Sequence, residues 1–122
     1  MPGQVESISA VTLVTSDMRA SVRFYEALGF RALYGGAEAA FTSFAVGTGY
    51  LNRQHVPAAG ERWRGWGRIV FWVDDVDEVH ARVLAAGATP STEPADAPWG
   101  ERYFHVDDPD GHELSFARPL RR

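Results

Sequence analysis

The sequence predicts an α+β fold assembled from two copies of a β-α-β-β-β module. Three observations carry the prediction. Ala10-Val-Thr-Leu-Val-Thr-Ser-Asp17 and Arg68-Ile-Val-Phe-Trp-Val-Asp-Asp75 are both β-rich runs closed by an acidic helix-start signal, and they lie 58 residues apart. The same spacing carries Gly29 onto Gly87, so the intervening helices match in length. In each half the helix is followed by short apolar stretches separated by Gly- or Pro-containing turns. A duplicated half-chain unit implies two similar layers with a cleft between them, and the cleft is where function is to be sought.

In the first module, about residues 5–54, positions 7–14 read as a strand rich in Val, Leu, Ile and Thr. Ser16-Asp17 supplies an N-cap, and Met18, Val22 and Tyr25 recur at helical spacing up to Gly29, a C-terminal stop. Phe30–Tyr34 is a short strand ended by Gly35-Gly36, and Phe41–Val46 with Tyr50–Gln54 forms a hairpin around Gly47-Thr48-Gly49. Residues 55–66 read as a linker holding Pro, Gly and two tryptophans. The second module, about 67–118, opens with a strand at 68–73 and a helix capped by Asp75, with Glu78 in capping-box relation. Val76, Val79, Val83 and Ala86 line that helix until Gly87 ends it. A short strand near 89–92, the loop Glu93–Gly100 and strands at 102–107 and 111–117 complete the module. Asp108-Pro109-Asp110-Gly111 forms the final turn.

With 122 residues the chain makes one domain able to bury a core without staples. Its hydrophobic share of 45% and charged share of 23% are those of a soluble globular protein. No cysteine is present, which excludes disulfide and thiolate chemistry. Met1–Glu6 lacks the basic and apolar regions of a signal peptide, and no apolar run reaches membrane-spanning length. A cytoplasmic protein with no membrane contact is expected. All 12 basic residues are arginines, scattered apart from the Arg121-Arg122 tail, and net charge is −4. Nucleic-acid binding would want a basic stripe and is not expected.

The segments Ser21-Val-Arg-Phe-Tyr-Glu-Ala-Leu-Gly-Phe30, Asp74-Asp75-Val76 and Asp108-Pro-Asp-Gly111 resemble the vicinal oxygen chelate superfamily, the group of glyoxalases, bleomycin-resistance proteins and extradiol dioxygenases. The resemblance covers nearly the whole chain. It implies that the two modules form a curled eight-stranded mixed sheet around a cup, and that the chain pairs with itself as a homodimer. In the family's metalloenzymes the cup holds a divalent ion on His, Gln or Glu side chains from four strands. Those positions fall here at Ala10, Asn52 (or Leu51 with a one-residue slip), Arg68 and Ser115. Ala10 has no donor atom, Arg68 is permanently charged, and Asn52 and Ser115 are weak neutral donors. No metal or other cofactor is therefore expected.

The four histidines do not restore a metal site, because no pair has ligand spacing. His80 reads as a helix-surface or core-edge residue, and His55 and His112 as solvated. His105 is open between ligand contact and a structural hydrogen bond. Strand parity then sets the faces. Ile69, Phe71 and Val73 cover the helix, while Arg68, Val70 and Trp72 face the cup. Leu114 and Phe116 take the core side and Glu113, Ser115 and Ala117 the other; Tyr103 and His105 point inward if Phe104 and Val106 point to the helix.

Trp63, Trp66, Trp72 and Trp99 all flank this predicted cavity in sequence, which points to a slot for a flat apolar ligand. The alternative for Trp63 and Trp66 is a dimer interface. Pro98-Trp99-Gly100-Glu-Arg102 also resembles bleomycin-resistance-type proteins, which bind their antibiotic in aromatic-lined grooves without modifying it. On that resemblance Trp72 and Trp99 are stacking residues, with Trp66 beside them. Arg68, Asn52, Tyr103, His105 and Ser115 are polar contacts. Glu61, Glu93, Asp96 and Glu101 are loop charges that could meet a cationic ligand or simply be solvated. No phosphate loop or nucleophile elbow is present.

The expected function is metal-independent binding of a small aromatic molecule such as an antibiotic. Two alternatives stand beside it. One is a lyase, isomerase or dioxygenase with a non-standard metal site, or a metal-free acid–base catalyst using Arg68 with His105 or Glu113. The other is a module that binds another protein.

Overall fold

Among the described residues ten elements follow one another in two matching halves. The computed structural model describes residues 2–57, 63 and 65–120. The first half comprises β1 (Ala10–Thr15), α1 (Met18–Ala27), β2 (Arg31–Tyr34), β3 (Phe41–Val46) and β4 (Gly49–His55). The second comprises β5 (Arg68–Trp72), α2 (Val76–Ala85), β6 (Ala95–Asp96), β7 (Glu101–Asp107) and β8 (Glu113–Pro119). The repeat is kept to the residue: Met18 and Val76 open helices of 10 residues each. Each helix starts where an aspartate caps it. Asp17 accepts from the Ala20 N–H and Asp75 from the Glu78 N–H, which satisfies donors that a helix start otherwise leaves orphaned. Gly29 and Gly87 follow the helices at positive φ, 107° and 85°, the left-handed turn that a Cβ resists.

The strands form two four-stranded mixed sheets, ordered β1-β4-β3-β2 and β5-β8-β7-β6, each with one parallel pair at its β1 or β5 edge. No ladder joins the sheets among the described residues, so the α+β fold is the one expected but its eight strands are split into two sheets. Both sheets turn their apolar faces to one shared core with the helices. Val22, Tyr25 and Leu28 of the first half and Val79, Val83, Phe104, Leu114 and Phe116 of the second belong to it. Phe30 is the hinge ring. It meets Tyr25 and Phe71 edge-on at 5.2 and 5.1 Å and reaches Phe116 at 6.4 Å.

One expectation about an element is corrected. The segment expected as a strand near 89–92 makes only isolated bonds to β7, from the Ser91 N–H to the His105 carbonyl and from the His105 N–H to the Thr92 hydroxyl, and the ladder proper is the two-residue β6, because Pro90 and Pro94 lack the N–H that a continuous ladder needs. The final turn is also more than a turn. Arg53, on β4, is fully buried and donates to Asp110 at 2.9 Å, with Asp108 at 3.3 Å, and its Nε–H donates to Ser21 at 2.8 Å. Asp108 in turn accepts the Tyr25 hydroxyl at 2.7 Å, and its other oxygen accepts the backbone N–H groups of Asp110 and His112. The Asp-Pro-Asp-Gly turn is thus the socket into which the first half plugs a cation.

Candidate functional site

Alternation along β5, β8 and β7 sends Phe71, Leu114, Phe116, Phe104 and Val106 into the core. The intervening residues make a second face, open at Val70 and Trp72 but buried along β8 at Ser115 and Ala117, and the register orders it in three rows. Trp72, Ala117 and Tyr103 stand side by side, then Val70, Ser115 and His105, then Arg68, Glu113 and Asp107. The face thus grades from aromatic at one end, through small and polar groups, to an ion pair at the other. Arg68 donates to Glu113 at 3.0 Å. Five of the residues singled out from sequence share this face: Arg68, Trp72, Tyr103, His105 and Ser115.

Trp99 joins the aromatic end from the β6–β7 loop. Its ring stacks on Tyr103 at 5.7 Å and 29°, and its indole N–H donates to Glu101 at 3.0 Å. The loop itself is tied down. Arg102 grips Asp77 of α2 with two hydrogen bonds of 2.9 and 2.8 Å and Asp96 of β6 with a third. Those bonds hold the Asp77 carboxyl below its usual pKa. The Leu120 N–H bonds back to the Gly100 carbonyl. A tryptophan 68% exposed yet held by this many bonds is a preorganised surface, and Trp72, across β8 from Tyr103, is 70% exposed. Glu93 and Asp96 point elsewhere: Asp96 pairs with Arg102, and Glu93 lies 3.8 Å from His80.

His105 occupies the middle row. Its Nδ1 is buried without a hydrogen-bond partner among the described residues, so the accessible edge of the ring is the one bearing Nε2. Partial burial, then the Arg68 charge, lowers its pKa, while Glu113 opposes them.

Other predicted members are placed apart. Asn52 sits on the first sheet, where it accepts from Ser43 at 2.7 Å and donates to Thr12 at 3.2 Å. The expectation that four tryptophans flank one cavity is corrected. Trp66 donates its indole N–H to His112 at 3.1 Å, and Trp63 stacks on the same imidazole at 6.1 Å and 11°. Trp66 precedes β5 and Trp72 ends it, so the strand itself separates them by roughly 20 Å. His112, expected to be solvated, is buried. Accepting from Trp66 at Nδ1 leaves its proton on Nε2, which donates to the Val14 carbonyl at 2.9 Å. His55 is half-buried against the Ser16 carbonyl, and His80 packs edge-on against Phe104. Glu61 and the Arg121-Arg122 tail lie outside the described residues.

The four positions that correspond to a metal centre do not fit a divalent ion. Ala10 offers no donor, Arg68 brings positive charge, and both the amide oxygen and nitrogen of Asn52 are already bonded. Among the described residues no three His, Cys, Asp or Glu side chains converge in a metal-binding group.

The open face is not itself enclosed. A cleft of 330 Å³ lies at the seam between the sheets, where Ala10 and Tyr50 look across to Val70, and one of 260 Å³ lies where Phe30 and Val46 approach Trp72. Both abut the face at its β5 edge, the first mainly apolar and the second mixed, with Asp74 and Arg82 in its lining. Sequence reasoning expected a cleft between the two modules but did not name these lining residues together, and it missed Arg53. The seam was signalled by two edge strands with small or β-branched outward residues; Arg53 had no local signal at all.

A family model described as the Glyoxalase/Bleomycin resistance protein/Dioxygenase superfamily matches residues 7–116. TioX from Micromonospora sp. ML1 superposes with a TM-score of 0.73 at 29% identity, covering 94% of this chain and all of that one (100%). A bleomycin-binding protein complexed with bleomycin superposes with a TM-score of 0.69, covering 93% of this chain and 98% of that one; at 21% identity the likeness is one of fold. An uncharacterised protein of Mycobacterium bovis is 49% identical over 49 residues, which span 40% of this chain and 32% of that protein. No helix among the described residues is long and apolar enough to cross a membrane.

Proposed function

This chain belongs to the glyoxalase/bleomycin resistance protein/dioxygenase superfamily, and we propose that within it the protein binds a flat aromatic small molecule, such as an antibiotic, without a metal ion. The observation that carries the reading is the pair Trp72 and Trp99, mostly exposed on one face, with Trp99 fixed by Glu101, Tyr103 and the Arg102 clamp. Large apolar rings held rigidly in water are costly unless something covers them. Each ring stacked on them contributes about 0.5–1.5 kcal/mol beyond the area it buries. The superposition on a bleomycin-bound relative supports the same reading at the level of fold.

Because the face is open, a second copy of the chain supplies the opposite wall in this proposal, and the ligand is held between protomers. The working compartment proposed is the cytoplasm. A panel of planar antibiotics and aromatic metabolites tested by thermal shift is expected to yield compounds that raise Tm, since ligand binding to the folded state stabilises it by mass action. Trp99→Ala should abolish most of that shift, whereas an unchanged shift in the variant removes Trp99 from the site.

A second reading, an acid–base or metal-dependent enzyme, has one observation in its favour, the accessible ring edge of His105 beside Arg68 and Glu113. Elemental analysis separates its metal version: one Ni, Zn, Mn or Fe bound per chain favours catalysis.

A further inference from the structure

We infer that the smaller cleft, the one of 260 Å³ at the end of β5, is a second binding site, which takes a free amino acid with an apolar side chain, in its zwitterionic form. The inference goes beyond the aromatic ligand of the open face and does not depend on it. Burial divides the lining into floor and rim. Phe71 and Phe116, buried and stacked at 5.5 Å, form the floor, and Phe30 stands edge-on to Phe71 as a wall. Trp72, Asp74 and Arg82 are exposed and form the rim. An apolar cavity of about 150 Å³ takes a benzene molecule, and pockets for drug-sized ligands start at about 300 Å³. The cleft therefore suits one ring on a short chain, with the ring on the phenyl floor and the polar head at the rim.

The rim fixes the head. Arg82 leans back along α2: its Nε lies 3.4 Å from Glu78, one turn nearer the helix start, and its Nη1 donates to the Leu28 carbonyl at 3.2 Å. A Cβ at Gly29 would lie 2.6 Å from that Nη1, so the bare glycine makes room for the guanidinium. These contacts set the position of Arg82 and leave its Nη2 without a partner among the described residues. The Asp74 carboxylate, just before the α2 cap, has no hydrogen bond or ion pair among them either. The other charges nearby are committed. Asp75 caps α2 through the Glu78 N–H, Asp77 is held by Arg102, and Arg118 donates to the Val73 carbonyl at 3.5 Å from outside the lining. The exposed Glu78–Arg82 pair contributes little, so Arg82 can serve a second carboxylate. Four residues separate Asp74 from Glu78, about 6 Å along the helix. The guanidinium and the Asp74 carboxylate thus bracket a head with adjacent charges of both signs, an α-ammonium on Asp74 and an α-carboxylate on Nη2 of Arg82. A lone carboxylate would have Asp74 against it, and a lone ammonium would have Arg82.

Three probes sharing a phenyl ring test this on the full chain near neutral pH, titrated by calorimetry: free phenylalanine, phenethylammonium and 3-phenylpropionate. Phenylalanine is expected to bind about 10-fold more tightly than either singly charged probe, the margin of one hydrogen bond between charged groups. Asp74→Ala, at an exposed position without partners among the described residues, should leave folding intact and bring phenylalanine down to the level of 3-phenylpropionate. Trp99→Ala should leave phenylalanine binding unchanged, because Trp99 lies outside this cleft. Equal affinities for the three probes, an undiminished affinity in Asp74→Ala, or no binding of phenylalanine overturns the inference and leaves the open-face reading standing. Loss of binding in Trp99→Ala overturns it as well, by moving the amino acid to the open face.

Discussion

Two regions of this molecule place side chains where they are costly, and they do so in opposite ways. At the junction between the halves, a guanidinium and two carboxylates are buried. On the open face of the second sheet, two indoles are left in water. The junction is nearly saturated with partners: Arg53 bonds Ser21, Val14 and Asp110, faces Asp108, and lies over the Tyr25 ring at 5.2 Å, while Tyr25 caps Asp108. Its polar groups look inward, to one another. Trp99 is supported from behind by Tyr103 and open in front, and Trp72 on the same sheet is mostly exposed. Satisfied burial marks a structural device, and supported exposure marks a surface waiting for a partner.

Breaking the junction should give the largest effect. Arg53→Ala leaves Asp108 and Asp110 buried without their cation, and a loss of about 3–5 kcal/mol in urea unfolding is expected. The comparison sharpens if ligand affinity in the surviving folded fraction is unchanged. Tyr25→Phe should cost about 1–3 kcal/mol at pH 7 by removing the hydroxyl that Asp108 accepts. Its pH dependence is a separate signature. Burial first, then the Asp108 charge, raises the Tyr25 pKa well above its ordinary value. Stability from that group is fully present below about pH 10, where the unfolded phenol titrates, and is lost as pH climbs beyond it. Tyr25→Phe should flatten this alkaline limb.

On the open face the pH effect has the other sign. Burial and Arg68 lower the His105 pKa, so its contribution is present above about pH 6.5 and fades as pH falls toward the folded-state value. His105→Gln should shrink the acid limb of a Tm-versus-pH profile and leave the alkaline limb untouched. Glu101→Gln is expected to have the smallest effect. The amide oxygen can still accept from Trp99, so affinity should fall only about twofold, from loss of the charge assistance.

Much of the fold was written locally. The caps at Asp17 and Asp75, the glycines that end both helices and the alternation in β5, β7 and β8 are all short-range signals, and the face carrying Trp72, Tyr103 and His105 follows from them. What was not legible depends on contacts between distant segments. Arg53 reads as one more polar residue on a hairpin strand until the fold brings Asp110, 57 residues away, to its guanidinium. His112 reads as a turn residue until Trp63 and Trp66 close over it. Trp66 and Trp72 look like neighbours on paper because they are near in sequence, yet an extended strand carries them to opposite ends of the sheet. Spacing along a chain fixes which face a residue takes. It does not fix what arrives on that face from elsewhere.

The account turns on the exposed indoles, and the most direct measurement is a calorimetric titration of one planar aromatic ligand into the unmodified chain and into Trp72→Ala/Trp99→Ala. The prediction is at least a tenfold loss of affinity in the double variant with Tm in the absence of ligand changed only slightly, since neither ring belongs to the core. Equal affinity in the two proteins would contradict it.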